Sequence, residues 1–225
     1  MARFSRLSVL NTIVEDGLMP VFYHPDVEVA TEVALACHRG GLRSFEFTNR
    51  GDRAHRVFED LCARLADEAP DQILGVGSIG DPHTAALYLA AGANFVVGPI
   101  LDAEVARLCN GRKVSYSPGC GSPTEIATAE ELGCELIKVF PGVSVGGPSF
   151  VSAVLGPRPW TTLMPTGGVE PTLDGLRVWF EAGVAAVGIG LKMITKDILE
   201  NRDWTQLEED VRRVLGWIRE IRSAK

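Results

Sequence analysis

The sequence contains no apolar run approaching the roughly 18 residues that a membrane-crossing helix needs. Its start, Met1-Ala2-Arg3-Phe4-Ser5-Arg6, leads into Asn11, Glu15 and Asp16 in place of an apolar core, so no signal peptide is expected. Basic excess is missing as well: a net charge of -7 gives no electrostatic reason to bind nucleic acid or an anionic membrane. The cysteines Cys37, Cys62, Cys109, Cys120 and Cys134 form no CxxC pair and are odd in number, which reads as reduced core residues of a cytoplasmic protein. His24, His38, His55 and His83 are dispersed without metal-ligand spacing, so no metal site is expected. No Ser/Pro/Gly-rich linker interrupts the chain, and residues 1–225 read as a single domain. Lysine is scarce: only five of the 22 basic residues are lysine.

What is present is a recurrent phrase, a helix-like run followed by a glycine, two or three residues, and a short apolar strand. It occurs at Gly41-Leu42-Arg43-Ser44-Phe45, Gly92-Ala93-Asn94-Phe95, Gly133-Cys134-Glu135-Leu136 and Gly183-Val184-Ala185-Ala186. The glycine suits a left-handed helix C-cap, and the apolar run suits a strand buried on both faces, as in parallel sheets. Each interval holds two βα units. Strands are therefore expected at Met19–Tyr23, Ser44–Thr48, Ile73–Gly77, Phe95–Gly98, Val114–Ser117, Leu136–Phe140, Thr162–Pro165 and Ala186–Ile189. Pro25-Asp26, Asp81-Pro82, Ser122-Pro123 and Pro171-Thr172 signal helix starts. Unbroken alternation of this kind favours a closed (β/α)8 TIM barrel over an open doubly wound sheet. An extra N-terminal helix over 3–16 and a long amphipathic helix over 204–222 complete the expectation.

In such a barrel the chemistry lies at the C-terminal ends of the strands. Lys138 sits mid-strand in Leu136-Ile137-Lys138-Val139-Phe140, whereas Lys113, Lys192, Lys196 and Lys225 occupy polar or helix-starting contexts. Alternation turns Lys138 and Phe140 inward if Ile137 and Val139 face the helices. Desolvation favours a neutral amine over an ammonium, and a neutral amine is a nucleophile. In Phe45-Glu46-Phe47-Thr48-Asn49-Arg50, outward aromatics would put Glu46 and Thr48 inside and Arg50 just past the strand end. Glu46 could shuttle protons there, and Arg50 could grip a carboxylate at two points. A merely structural pairing of Lys138 with Glu46 would leave the same pattern.

The glycines of Pro165-Thr166-Gly167-Gly168-Val169 and Val187-Gly188-Ile189-Gly190 suit an anion site at strands seven and eight, or simply tight turns. Gly75-Val76-Gly77-Ser78-Ile79-Gly80 matches the dinucleotide fingerprint. It lies mid-chain, however, and its helix starts only after the motif, which argues against a nucleotide. Cys120, after Ser117-Pro118-Gly119, is a candidate to approach the site but lacks an identifiable base.

These segments, taken in order from Met19 to Ile194, resemble the 2-keto-3-deoxy-6-phosphogluconate / 4-hydroxy-2-oxoglutarate (KDPG/KHG) aldolase family. The segments are Met19-Pro20-Val21, Gly40 to Arg50, Gly75-Val76-Gly77-Ser78, Ile137-Lys138-Val139-Phe140-Pro141 and Pro165 to Val169. The resemblance implies a class I aldolase that releases pyruvate and an aldehyde from a keto acid, in carbohydrate metabolism of the Entner-Doudoroff type. It implies Lys138 as the Schiff-base lysine, Glu46 as the proton carrier, and Arg50 with Ser78 on the keto-acid carboxylate. Pro99, Phe140 and Thr166 would line the pyruvate pocket, and Gly167, Gly168, Gly188 and Gly190 would bind the far end of the substrate. A homotrimer without cofactor or metal is also implied.

The chain departs from the family pattern at Tyr23, where many members carry a phosphate-binding arginine, at Leu191, where a hydroxyl is common, and at Gly98-Pro99-Ile100. Lys192 is the candidate to replace the missing charge. An isomerase or epimerase using Glu46 without a covalent lysine, and a non-catalytic sugar-acid binding barrel, remain the alternatives.

Overall fold

The computed structural model describes residues 2–224, so Met1 and the C-terminal Lys225 lie outside the described residues. The first helix, α1 (Arg6–Asp16), begins later than the expected 3–16 because Ser5 is its N-cap, its Oγ accepting from the Ser8 amide. The Arg3 and Phe4 amides instead donate to Asn94 Oδ1. Strand and helix then alternate: β1 (Leu18–Phe22), α2 (Val27–Arg39), β2 (Ser44–Thr48), α3 (Ala54–Glu68), β3 (Ile73–Gly77), α4 (Pro82–Ala91), β4 (Phe95–Val97) and α5 (Ala103–Arg112). The second half continues with β5 (Ser115–Ser117), β6 (Gly119–Cys120), α6 (Pro123–Glu131), β7 (Ile137–Val139), α7 (Gly147–Leu155), β8 (Leu163–Pro165), α8 (Leu173–Ala182) and β9 (Val187–Ile189). Short α9 (Lys196–Asn201) and long α10 (Trp204–Ser223) end the chain.

The local signals operate as their chemistry requires. Asp26, Asp81, Ser122 and Thr172 each cap a helix by accepting a backbone N–H. Gly41, Gly92, Gly133 and Gly183, the glycines of the recurrent phrase, all take positive φ. In α10 the residues Leu207, Val211, Val214, Leu215, Ile218 and Ile221 form one buried stripe at helical spacing.

The architecture is α/β, with every strand pairing parallel. One sheet runs β5-β4-β3-β2-β1-β9 and the other β6-β7-β8. A parallel bridge between Thr166 and Gly188 joins the end of β8 to β9. The expected fifth strand, Val114–Ser117, is present as β5, and a further short strand, β6, follows it beyond Pro118. Proline has no N–H to give a ladder, although its carbonyl still accepts from the Lys138 amide at 3.0 Å.

Two apolar clusters occupy the two faces of the strands. Phe45, Phe47, Ile137 and Val139 join the larger one, shared with the flanking helices. Met19, Ile73, Phe95, Val97, Leu136, Met164 and Ala186 form the other with Val9 and Ile13 of α1. Val9 and Ile13 are four residues apart and so share one face of α1. Apolar side chains thus fill this second face near the strand beginnings, and polar ones occupy its later positions.

Gly75 shows how tightly that face is filled. A Cβ on Gly75 would lie 2.3 Å from Phe95 Cδ2, inside the ring's own volume. Gly75→Ala is expected to destabilise by about 1–3 kcal/mol through overpacking. Trimming the ring in Phe95→Leu should return part of that loss in the double variant. Thermal unfolding of the four proteins measures the coupling; purely additive losses would contradict the contact.

Candidate active site

The face that carries the second cluster changes character toward the strand ends. With Phe45 and Phe47 wholly buried on the helix side, the alternation of β2 turns Glu46, only 1% exposed, to the opposite face. The same rule in β7 turns Lys138 there, 5% exposed, while Ile137 and Val139 stay with the helices. The Lys138 Nζ then stands 4.0 Å from Glu46 Oε1. Neither Glu46 oxygen has a hydrogen-bond partner among the described residues, so the two groups face each other without a direct hydrogen bond. Burial pushes the Glu46 carboxyl above its ordinary 4.5, against the opposing pull of Lys138 and Arg50. A buried acid shifted in this direction can hold and release a proton nearer neutrality.

The space around the pair is set by what is small or flat. A Cβ on Gly77 would fall 1.8 Å from Glu46 Oε1, so only glycine at the end of β3 admits the carboxylate. The Phe140 ring centroid lies 5.0 Å from the Lys138 Nζ, an apolar wall that also favours a cation over its face. Gly167 brings bare backbone beside that ring, its Cβ position 3.9 Å from Phe140 Cε2. Thr166 is buried with its Oγ1 unpartnered, and Gly188 leaves it room, since a Cβ there would lie 2.2 Å from that oxygen. The Pro99 carbonyl sits 2.3 Å from the Cβ position of Gly119, and Gly119 is the register partner of Lys138.

At the exposed edge, Arg50 Nε donates to Ser78 Oγ at 3.5 Å. Ser78 adopts φ 62, a backbone conformation uncommon for a residue with a side chain. Arg50 pairs with no carboxylate among the described residues, which leaves its planar fork available to an incoming anion. Lys138, Glu46, Phe140, Thr166 and Gly167 are therefore brought together, with Pro99 and Gly188 bordering them and Arg50 and Ser78 paired at the edge. Gly168 and Gly190 meet other groups, Val143 Cγ2 and the Val21 carbonyl.

Two expectations are corrected. Cys120 does not approach the site: it lies in the helix-side cluster, and burial pushes its thiol up to about 12. Tyr23, a departure from the family pattern, packs against the helix-side cluster. Its ring meets Phe47 edge-on at 5.6 Å, and its hydroxyl lies against Gly51. Lys192 supplies no free charge, because its ammonium is bonded to Glu170 Oε1. Gly75 and Gly77, which match a dinucleotide fingerprint, serve the packing of Phe95 and Glu46. The role of Gly77 was missed from the sequence, although a glycine on the inward register beside an inward glutamate was a usable sign.

Residues 9–209 match the model of the KDPG and KHG aldolase family. A 2-dehydro-3-deoxy-phosphogluconate aldolase of Pseudomonas aeruginosa is 36% identical over 184 residues, covering 81% of this chain and 80% of the relative. One from Haemophilus influenzae is 26% identical over 217 residues, covering 96% and 99%. Among solved structures, the KDPG aldolase of Legionella pneumophila superposes with a TM-score of 0.82 at 26% identity, covering 90% of this chain and 96% of that one. That enzyme was captured with pyruvate as a covalent carbinolamine.

The raised Glu46 carboxyl has a consequence for stability. A group whose pKa rises on folding contributes fully below its unfolded value, here near 4.5, and loses that contribution as pH climbs through the folded value. Glu46→Gln removes the titration. The difference in melting temperature between variant and parent should therefore move in the variant's favour as pH rises above about 4.5 through the raised folded value. A difference that stays flat, or moves the other way, would contradict the burial argument.

Proposed function

The chain belongs to the KDPG and KHG aldolase family, and from that premise we propose that Lys138 is the amine through which it cleaves a 2-keto-3-deoxy sugar acid. The substrates of this class are 2-keto-3-deoxy-6-phosphogluconate and 4-hydroxy-2-oxoglutarate, and the products are pyruvate and an aldehyde. The observation that carries the proposal is the buried amine with a proton-holding carboxyl 4.0 Å away. Lys138 Nζ adds to the C2 carbonyl to give a carbinolamine, which loses water to a protonated imine. Glu46 takes the C4 hydroxyl proton, and the C3–C4 electron pair flows into the imine. The aldehyde departs, the enamine is protonated at C3, and hydrolysis returns the amine and frees pyruvate. The pyruvate carbinolamine captured in the Legionella pneumophila enzyme corresponds to the last covalent species of that sequence, through which the pyruvate imine is hydrolysed.

In this reading Arg50 and Ser78 hold the keto-acid carboxylate, supported by the unpaired guanidinium and the 3.5 Å contact between them. Pro99, Phe140 and Thr166 line the pyruvate pocket, and Gly167, Gly168, Gly188 and Gly190 face the far end of the substrate. We read the two sheets as one (β/α)8 barrel. The Thr166–Gly188 bridge and the single residue between β5 and β6 support closure, and α1 acts as an extra helix across the N-terminal end. Residues 1–225 form one domain in this reading. The family resemblance supports a homotrimer, a cytoplasmic setting and a place in the Entner-Doudoroff pathway. Among the described residues no helix is long and apolar enough to cross a membrane.

Borohydride added with pyruvate should leave a reduced adduct on Lys138, located by peptide mass spectrometry. Lys138→Ala should neither trap pyruvate nor turn over, and full activity in that variant would sink the mechanism. Glu46→Gln should lower kcat by about 10²–10⁴-fold, the range of a lost general acid–base. Gly77→Ala should also lower kcat steeply while the protein stays folded, because its methyl displaces the carboxylate. A wild-type kcat in Gly77→Ala would refute the placement of Glu46.

A further inference from the structure

The loops after β8 and β9 hold one carboxylate and one ammonium whose arrangement bears on the far end of the substrate. Glu170 follows Gly167-Gly168-Val169, Lys192 follows Gly190-Leu191, and the Lys192 ammonium donates to Glu170 Oε1. The cleft beside Lys192, bordered by Pro171, Thr195, Asp210 and Arg213, adds no free cation, since Arg213 is bonded to Asp210. Two exposed apolar side chains stand in the loops after β9 and β7: Leu191 is 69% and Val143 54% exposed. Val143 lies over Gly168, its Cγ2 2.2 Å from the Cβ position there.

A dianionic phosphate gains most from an unpaired cation, and here the ammonium is already neutralised by a carboxylate that repels a second anion. An ion pair of this kind offers N–H donors beside carboxylate acceptors, a set that suits hydroxyl groups, which both donate and accept. Arg50 is the contrast, a guanidinium without a carboxylate partner among the described residues, at the end assigned to the keto-acid carboxylate. We propose that the Glu170–Lys192 pair receives the terminal hydroxyls of an unphosphorylated 2-keto-3-deoxy sugar acid, which makes the distal phosphate dispensable for cleavage. Glu170 is then the specificity-determining residue. This rests on the aldolase reading above and adds the class of substrate that its far end accepts.

The test compares kcat/KM of the full chain for 2-keto-3-deoxygluconate and for its 6-phosphate, by coupled detection of pyruvate. The two values should agree within about tenfold. Glu170→Gln frees the ammonium and should shift the ratio toward the phosphorylated substrate by about fivefold, the scale of an exposed charge interaction, chiefly through KM. Adding Lys192→Gln should cancel that shift. A parent preference for the phosphate above about tenfold, or a ratio unmoved by Glu170→Gln, overturns the proposal. Pyruvate trapping on Lys138 keeps the two ideas apart. Trapping alongside a strict phosphate requirement overturns the dispensability of the phosphate alone, whereas failure to trap overturns the Schiff-base reading and this proposal with it.

Discussion

A lysine and a glutamate held 4.0 Å apart, both almost wholly out of water, are the constraint around which the rest of this molecule is arranged. Burying two ionisable groups is unfavourable unless their attraction and hydrogen bonds compensate. Here the compensation is incomplete, since both Glu46 oxygens lack a hydrogen-bond partner among the described residues. Well-packed apolar side chains of similar volume would often serve stability as well or better. Proteins tolerate such a feature where it does chemistry, and imine formation needs an amine that can lose its proton beside a group that can carry one.

Much of the surrounding structure reads as provision for that pair. Phe45 and Phe47 anchor β2 to the helices, which fixes the direction of the residue between them; Ile137 and Val139 do the same for Lys138. Gly77 withholds a side chain where the carboxylate lies, and Gly188 withholds one beside Thr166. Val9 and Ile13 close the apolar layer beneath. One face of the strands thus grades from a packed apolar floor to a polar upper layer. A rigid floor restricts the adjustments by which an unfavourable pair could relax apart.

This arrangement also explains what could be read from the sequence. Strand positions, the outward turn of Phe45 and Phe47 and the capping residues follow from local pattern: period two, glycine after a helix, Asp or Ser before one. The isolation of Lys138 in an apolar strand was equally local. What escaped the sequence depends on partners distant along the chain. The short strand β6 beyond Pro118 is defined by its pairing with β7. Tyr23, which the sequence marks only as a departure from the family pattern, packs on Phe47 and lies against Gly51. Cys120 and Lys192 were both read by proximity to a strand end, yet one strand register and one ion pair, 22 residues apart in sequence, decide them otherwise.

The two cationic groups at the strand ends show why residue type alone assigns no role. Arg50 and Lys192 both follow a strand, both are exposed, and either could be taken for an anion-binding residue. Their neighbours differ. Arg50 faces a hydroxyl, which neither cancels nor repels, so its charge is available to a carboxylate and its planar fork can engage both oxygens. Lys192 faces a carboxylate, so an incoming anion must compete with Glu170 for the ammonium while being repelled by it. With more than a third of each side chain in this pair exposed, solvent weakens both effects and the competition becomes a modest bias, not a barrier. That physics suits a site strict about the pyruvate half of its substrate, where burial amplifies every contact, and permissive about the other half, where water keeps each interaction small.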